Sequence, residues 1–345
     1  MKKVGIIGAT GYVGAEILRL LLSFHKKVTV SSISSVSFEG EKYDSVYKSF
    51  INKTDLILED SSSVIESSDI VFVALPHGLS EEIASKCLFK NKICIDLGAD
   101  FRLSKEEDYK AYYNKNFKIK ELHKISVYGL PELNREKIKN SRLIACPGCY
   151  PTSIELGLMP ALQNNIIESN NIIIDSKSGL SGSGRNLSKK SHFTFANENF
   201  CAYNLGTHRH IPEILENLKN ISKRDVNITF TPHLLPINRG ILSTIYCTLN
   251  KDITLKEIHK HYEDKFKNEP FINILPLNET ADIKDVAFSN YCNISLHKND
   301  SNNTLIILSA IDNMIKGSAG QAIQNMNIIL DLPEDTGLNF ISPSF

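Results

Sequence analysis

The sequence predicts an α/β protein of two domains. The first is built on a parallel sheet, and the second is an α+β domain with a mixed, largely antiparallel sheet. Three observations carry this. Short apolar runs alternate with helical stretches over the first 145 residues. After Cys149 the strands become longer and alternating, with few helices between the later ones. The length of 345 residues suits two domains.

The elements follow in order. Residues 3–7 form a short apolar strand, and Ala15–Leu22 has helical composition. Val28–Ser32 reads as the second strand, residues 69–75 as a third, Ile93–Leu97 as a fourth and Arg142–Ala145 as a fifth. The continuous apolar run after Asp69 is that of a buried parallel strand. Ser80–Leu88 is helical, and the polar segment 39–58 gives no signal. In the second half, residues 172–176, 227–235, 243–249, 291–296 and 304–311 read as strands, and 312–330 as one closing helix. The expected boundaries are 1–148, joined by a C-terminal helix from 313 to 330 and the tail, and 149–312 for the domain between.

Lysine plus arginine equals aspartate plus glutamate at 39 each, so the net charge is zero. This excludes the basic field of nucleic-acid binding. No apolar run reaches the roughly 18 residues of a membrane helix, and the glycine-broken N-terminus does not read as a signal peptide. The expectation is a cytoplasmic protein. Seven cysteines, an odd number, argue against a disulfide framework.

Chemistry concentrates in a few places. Gly8, Gly11 and Gly14 lie at a strand-to-helix turn, with Thr10, Tyr12 and Val13 between them. Gly8 permits the tight turn, Gly11 lets the backbone approach a pyrophosphate, and Gly14 allows close helix packing. This is a Rossmann-type dinucleotide site. No carboxylate follows the second strand, where one would bind ribose hydroxyls and repel a 2′-phosphate. Ser34 and Ser35 stand there instead, so NADP(H) is favoured over NAD. Pro76, in ALPHG, and Arg102, in DLGADFRL, follow apolar strands at the ligand-binding edge of such a sheet.

Cys149 closes the turn Cys146-Pro147-Gly148-Cys149, and a helix follows it. A thiol at a helix N-terminus has the setting of a nucleophile. A Cys-x-x-Cys redox pair and a metal site are the alternatives, although no second cysteine or histidine pair completes a tetrahedral metal set. Cys146 either packs in the core or serves as a resolving thiol for Cys149. His208 and His210 flank Arg209; on an extended segment both imidazoles would face one way, giving the cysteine a base. Residues 176–185 form a glycine- and serine-rich loop after a strand. It contains Gly179, Ser181 and Gly182, and it ends on Arg185, which suits an anion. Lys316 and Gly317 begin a helix with small residues suited to close backbone approach.

Together the stretches GATGYVG, ALPHG, DLGADFRL, VYGLPELNREKI, PGCYPTS, SKSGLSGSGR, AYNLGTHRHIPEI, TPHLLPINRG and DNMIKGSAGQAIQNMNIILDLPEDTGL resemble the N-acetyl-gamma-glutamyl-phosphate reductase family, in family order from residue 5 to 338. The resemblance implies NADPH-dependent reduction of an acyl phosphate to a semialdehyde through a thioester on Cys149. It implies His210 as acid/base, with His208 binding or polarising substrate. It implies Gly8, Thr10, Gly11, Tyr12, Val13, Ser34, Ser35, Pro76, Gly179, Ser181, Gly182, Asn313, Lys316 and Gly317 around the cofactor. Arg102, Arg185 and Arg209 are implied for the substrate, no metal is, and the assembly is a homodimer or homotetramer. A lysine-pathway homologue acting on an aminoadipyl phosphate and a non-catalytic nucleotide-binding sensor are the alternative readings.

Overall fold

The computed structural model describes residues 1–343. Two compact units divide the chain: Met1–Pro147 with Ser318–Asn339, and Gly148–Gly317 with the residues from Phe340. Among the described residues no helix is long and apolar enough to cross a membrane.

In the first unit β1 (Lys2–Ile7), α1 (Tyr12–Phe24), β2 (Val28–Ser34), α2 (Tyr43–Val46), β3 (Leu58–Glu59), α3 (Ser61–Ser67) and β4 (Ile70–Val73) follow one another. They are followed by α4 (Ser80–Phe89), β5 (Ile93–Asp96), α5 (Glu106–Tyr113), α6 (Lys120–Ile125), β6 (Val127–Tyr128), α7 (Pro131–Lys139) and β7 (Leu143–Ala145). The strands make one sheet in the order β3-β2-β1-β4-β5-β7-β6, and every pairing is parallel. All four residues of β4 are buried, as a strand covered on both faces requires. The order reverses at β1, which lies between β2 and β4. That reversal opens the crevice where such sheets take ligands.

The second unit contains α8 (Cys149–Gln163), β8 (Ile172–Ser178), α9 (Phe193–Ala196), β9 (Cys201–Ala202), α10 (Ile211–Ser222), β10 (Ile228–Leu234) and β11 (Ile241–Thr248). It continues with α11 (Leu255–Phe266), β12 (Ile272–Ile274), β13 (Cys292–Asn299) and β14 (Thr304–Ile311). Its sheet runs β12-β13-β14-β11-β8-β10-β9. It is mixed: β8–β10 and β12–β13 are parallel and the other pairings antiparallel. The strict in–out alternation of β11 marks a sheet with one face on the core.

The single closing helix expected over 312–330 is two elements. Residues 315–319 form a π-helical turn and α12 (Gly320–Ile329) follows. The cause is Asp312. Its buried Oδ1 accepts the N–H groups of Met314 (2.7 Å) and Ile315 (3.0 Å), and its carbonyl accepts the N–H of Gly317 five residues on (2.9 Å). α12 packs in the first unit through amides. Asn325 Nδ2 donates to Gly129 O (2.9 Å), and Asn327 Oδ1 meets His25 Nε2 (2.8 Å). The Cys146 thiol is buried in this unit, 3.8 Å from Asn325 Nδ2, and burial pushes its pKa up to about 12. Of the two expectations for Cys146, the structure supports packing and not a resolving thiol.

α8 is buried from Tyr150 to Leu162, yet it meets its sheet through hydroxyls. Ser153 Oγ donates to Ser243 Oγ (2.9 Å), and Ser243 Oγ is 2.7 Å from Ser176 Oγ. Tyr262 of α11 donates to the Gly157 carbonyl (2.7 Å). A buried hydroxyl that loses its partner retains its desolvation cost, so these bonds fix the depth of α8. Ser243→Ala leaves Ser153 its bond to the Ser309 carbonyl (3.0 Å) but strands the Ser176 hydroxyl, and should cost about 1–3 kcal/mol. A thermal midpoint equal to wild type would show that the hydroxyl chain carries no stability.

Candidate active site

The glycine loop is shaped by what its α-carbons touch. Gly8 has φ +85°, and a Cβ there would fall 2.4 Å from the Ala74 carbonyl oxygen. A Cβ on Gly14 would fall 2.3 Å from the Gly8 carbonyl oxygen. Gly11, the N-cap of α1, has no such neighbour closer than 3.5 Å. Two glycines therefore allow tight packing, and the third leaves space at a helix N-terminus, where a pyrophosphate fits. Tyr12 is exposed and Val13 half-buried in the first turn of α1, and Pro76 is exposed after β4.

The serines proposed for the 2′-phosphate are not presented to solvent. Ser34 and Ser35 are buried, because the loop folds onto them: the Ser34 carbonyl accepts the N–H groups of Gly8 (3.2 Å) and Ala9 (2.9 Å), and Ser35 Oγ lies 2.7 Å from Thr10 Oγ1. The exposed hydroxyl beyond β2 belongs to Ser37. Support for the loop comes from the segment that gave no signal in the sequence. Tyr43 donates to the Ala9 carbonyl (3.0 Å) and Tyr47 to the Thr10 carbonyl (2.9 Å).

In the second unit a cavity of about 440 Å³ gathers Cys149, Gly179, Gly182, Lys190, Tyr203, His208, Arg209 and His210. Cys149 is the first residue of α8, behind Gly148 as N-cap, and no side chain caps this end. The helix N-terminus thus faces the thiol, which favours the thiolate. Glu213 of α10 is buried and accepts the Gly148 N–H (2.7 Å). A Cβ on Gly148 would fall 2.5 Å from His210 Nε2, and one on Gly317 would fall 2.8 Å from Cys149 Cβ. The imidazole therefore lies against the residue preceding the thiol.

His208 and His210 do not lie on an extended segment; His210 is the N-cap of α10, with helical φ and ψ. The turn still brings their rings to 4.9 Å. His208 Nδ1 accepts the His210 backbone N–H (3.1 Å). Burial, reinforced by the Arg209 charge, pushes the His208 pKa down to about 4. Tyr150, Tyr203 and Phe230 surround its ring edge-on.

Other expected residues are placed differently. Asn313 donates to Ser181 Oγ (3.0 Å) and accepts the Gly240 N–H (2.7 Å), so both Asn313 and Ser181 have partners within the second unit. The Lys316 side chain is fully buried, its ammonium 5.7 Å from the centre of the Phe271 ring. Arg185 is exposed and is not among the residues lining the cavity. Arg102 belongs to the first unit, where Nε donates to the Cys146 carbonyl (2.8 Å) and Nη2 to that of Leu97 (3.0 Å). It ties together the ends of β5 and β7. Glu213, Lys190, Tyr43 and Tyr47 were not singled out in the sequence. Only Glu213 carried a signal there, three residues after His210 and so on the same helical face.

Comparison with known proteins agrees with this geometry. Residues 3–141 match the family model "Semialdehyde dehydrogenase, NAD binding domain", and residues 149–313 match "Semialdehyde dehydrogenase, dimerisation domain". An N-acetyl-gamma-glutamyl-phosphate reductase of Clostridium botulinum (strain Eklund 17B / Type B) is 62% identical over the full length of both chains. Reductases of the same name from Clostridium beijerinckii and Pelotomaculum thermopropionicum are 60% identical over 100% of each chain and 48% over 97%. Among solved structures, aspartate semialdehyde dehydrogenase II of Vibrio cholerae, complexed with ASA, has a TM-score of 0.74 at 16% identity, covering 96% of this chain and 98% of that one. The Candida albicans aspartate semialdehyde dehydrogenase with NADP has a TM-score of 0.70 at 15% identity, covering 96% and 98%. The structural likeness shows a shared fold, and the full-length identities show the family: the chain belongs to the N-acetyl-gamma-glutamyl-phosphate reductases, within the semialdehyde dehydrogenases.

Proposed function

We infer that this chain reduces N-acetyl-gamma-glutamyl phosphate to N-acetyl-glutamate 5-semialdehyde and phosphate, reversibly and with NADPH, in arginine biosynthesis. One observation carries the reading. In a chain 62% identical over its whole length to a reductase of that name, Cys149 opens a helix inside a cavity shared with His208, Arg209 and His210. An aminoadipyl phosphate substrate and a sensor without turnover have no comparable support.

The Cys149 thiolate attacks the acyl-phosphate carbonyl. The bond from that carbon to the phosphate oxygen breaks, phosphate leaves with the electron pair, and a thioester remains on Cys149. NADPH, when bound, supplies the hydride that reduces this thioester. His210 gives a proton to the carbonyl oxygen as the thiohemiacetal forms. It takes the proton back as the carbon–sulfur bond breaks, releasing the aldehyde and restoring the thiolate. His208 is neutral at pH 7 and too weak a base for this role; it positions His210 through the backbone N–H that its Nδ1 accepts. Glu213 fixes Gly148 and hence the start of α8. Arg209 and Lys190, both lining the cavity, supply cations for the phosphoryl and carboxylate ends of the substrate.

The chain assembles as a homodimer or homotetramer. Register places Ile173 of β8, Tyr246 of β11 and Ile306 of β14 side by side on the sheet face that points away from α8, with Ile173 40% and Tyr246 38% exposed. Beside them Asp175 pairs with Lys177 (2.9 Å) and His233 (3.0 Å). An apolar strip with a charged margin suits a second copy of the same face. The thiolate must stay reduced to act, which favours the cytoplasm.

Three outcomes test this reading. Cys149→Ser should lower kcat by about 10³-fold or more and leave NADPH affinity near wild type; turnover at a tenth of wild type would remove Cys149 from the chemistry. In the pH profile of kcat/KM, the limb near neutrality should persist in His208→Asn and vanish in His210→Asn, with a loss of about 10²–10⁴-fold in the latter. The opposite pattern would exchange their roles. Ile173→Asp should shift the assembly toward smaller species in light scattering, and an unchanged mass would take that face out of the interface.

A further inference from the structure

The cofactor loop has a support that no part of the reaction chemistry requires. α2 lies in a polar stretch, yet it opens on Tyr43, fully buried, and is closed by Tyr47, half-buried. Their hydroxyls donate to successive carbonyls of the glycine loop, Ala9 at 3.0 Å and Thr10 at 2.9 Å. The two rings lie 5.7 Å apart, and Tyr43 packs edge-on against Phe50 at 4.9 Å.

All peptide bonds here are trans, so each carbonyl points opposite to the N–H of its own peptide. The peptide held by Tyr43 carries the Thr10 N–H, which is therefore directed away from the tyrosine. The peptide held by Tyr47 carries the Gly11 N–H, which closes the turn onto the Gly8 carbonyl at 3.1 Å. Gly8 and Gly11 lack the side chains that would otherwise restrict this loop, and glycine-rich turns are where a peptide plane most readily flips. A flip of the Ala9–Thr10 plane would aim a carbonyl oxygen where a pyrophosphate needs a donor, and a flip of the Thr10–Gly11 plane would set a carbonyl against that of Gly8 and open the turn.

We propose that Tyr43 and Tyr47 are positioning residues for the cofactor: through Ala9 and Thr10 they hold the peptide planes of the glycine loop in the orientation that binds pyrophosphate. The proposal rests on the reading of this loop as the NADP site. Both tyrosines act through backbone, so they contribute to pyrophosphate binding and not to recognition of the 2′-phosphate.

The test uses Tyr43→Phe, Tyr47→Phe and the double variant of the full chain, which keep the rings and remove only the hydroxyls. Dissociation constants are measured calorimetrically for NADPH and NADP⁺, which contain the pyrophosphate, and for 2′-AMP, which does not. Each single variant should weaken both dinucleotides about fivefold, and the double variant about twentyfold, the size of one and two lost hydrogen bonds. Affinity for 2′-AMP, kcat and KM for the acyl phosphate should stay within twofold of wild type. Dinucleotide affinity within twofold of wild type in the double variant would overturn the proposal, as would an equal loss for 2′-AMP, the sign of a general collapse. Half-buried Tyr47 gives the variant that best tolerates the change should Tyr43→Phe not fold. Failure of the wild-type chain to bind NADPH would instead overturn the cofactor reading.

Discussion

Gly148 has a hydrogen where any other residue would drive a carbon into the His210 ring, 2.5 Å from Nε2. The arrangement of side chains around Cys149 depends on that close approach. Because the side chain is absent, the imidazole can rest on the backbone beside Cys149. The same residue gives its N–H to buried Glu213, and its carbonyl accepts the first helical bond of α8, from Thr152. One residue thus sets the start of the helix, the direction of its positive end and the approach of the His210 ring. Gly317 does the equivalent from the other side, leaving no room for a side chain against the Cys149 Cβ.

The first unit uses glycine for a related purpose. Gly8 and Gly14 clear space for protein, Ala74 and Gly8 respectively, while Gly11 clears space for a ligand. The two units therefore share a rule: glycines of the packed kind hold the backbone tight, so that one open position beside them faces an incoming group. Motif spacing alone does not separate the two kinds. What surrounds each α-carbon does.

Legibility in the sequence followed the range of the physical signal. Strands β1, β4 and β5 could be read because burial on both faces demands unbroken apolar runs, and the turn at Cys149 because proline, glycine and a following helix lie within six residues. The burial of Ser34 and Ser35 was not legible, because local sequence shows a serine but not whether its hydroxyl is turned inward, as that of Ser35 is onto Thr10. Tyr43 and Tyr47 were silent because their partners lie 34 and 37 residues earlier, and a four-residue helix has no periodicity to detect. The break after Asp312 was hidden for a different reason. A single buried carboxylate, which accepts the main-chain N–H groups of Met314, Ile315 and distant Phe288, decides the local winding, and no short-range pattern reports it.

The first unit is discontinuous, made of residues 1–147 and 318–339. Its sheet strands precede the second unit in the chain, but the Gly129 carbonyl and the His25 ring take their partners, Asn325 and Asn327, from beyond it. The unit between is almost continuous, from Gly148 to Gly317. The first unit is whole only when residues 318–339 are present, so a chain cut after Gly317 would keep the glycine loop and its tyrosine supports and lose the amide contacts of Asn325 and Asn327.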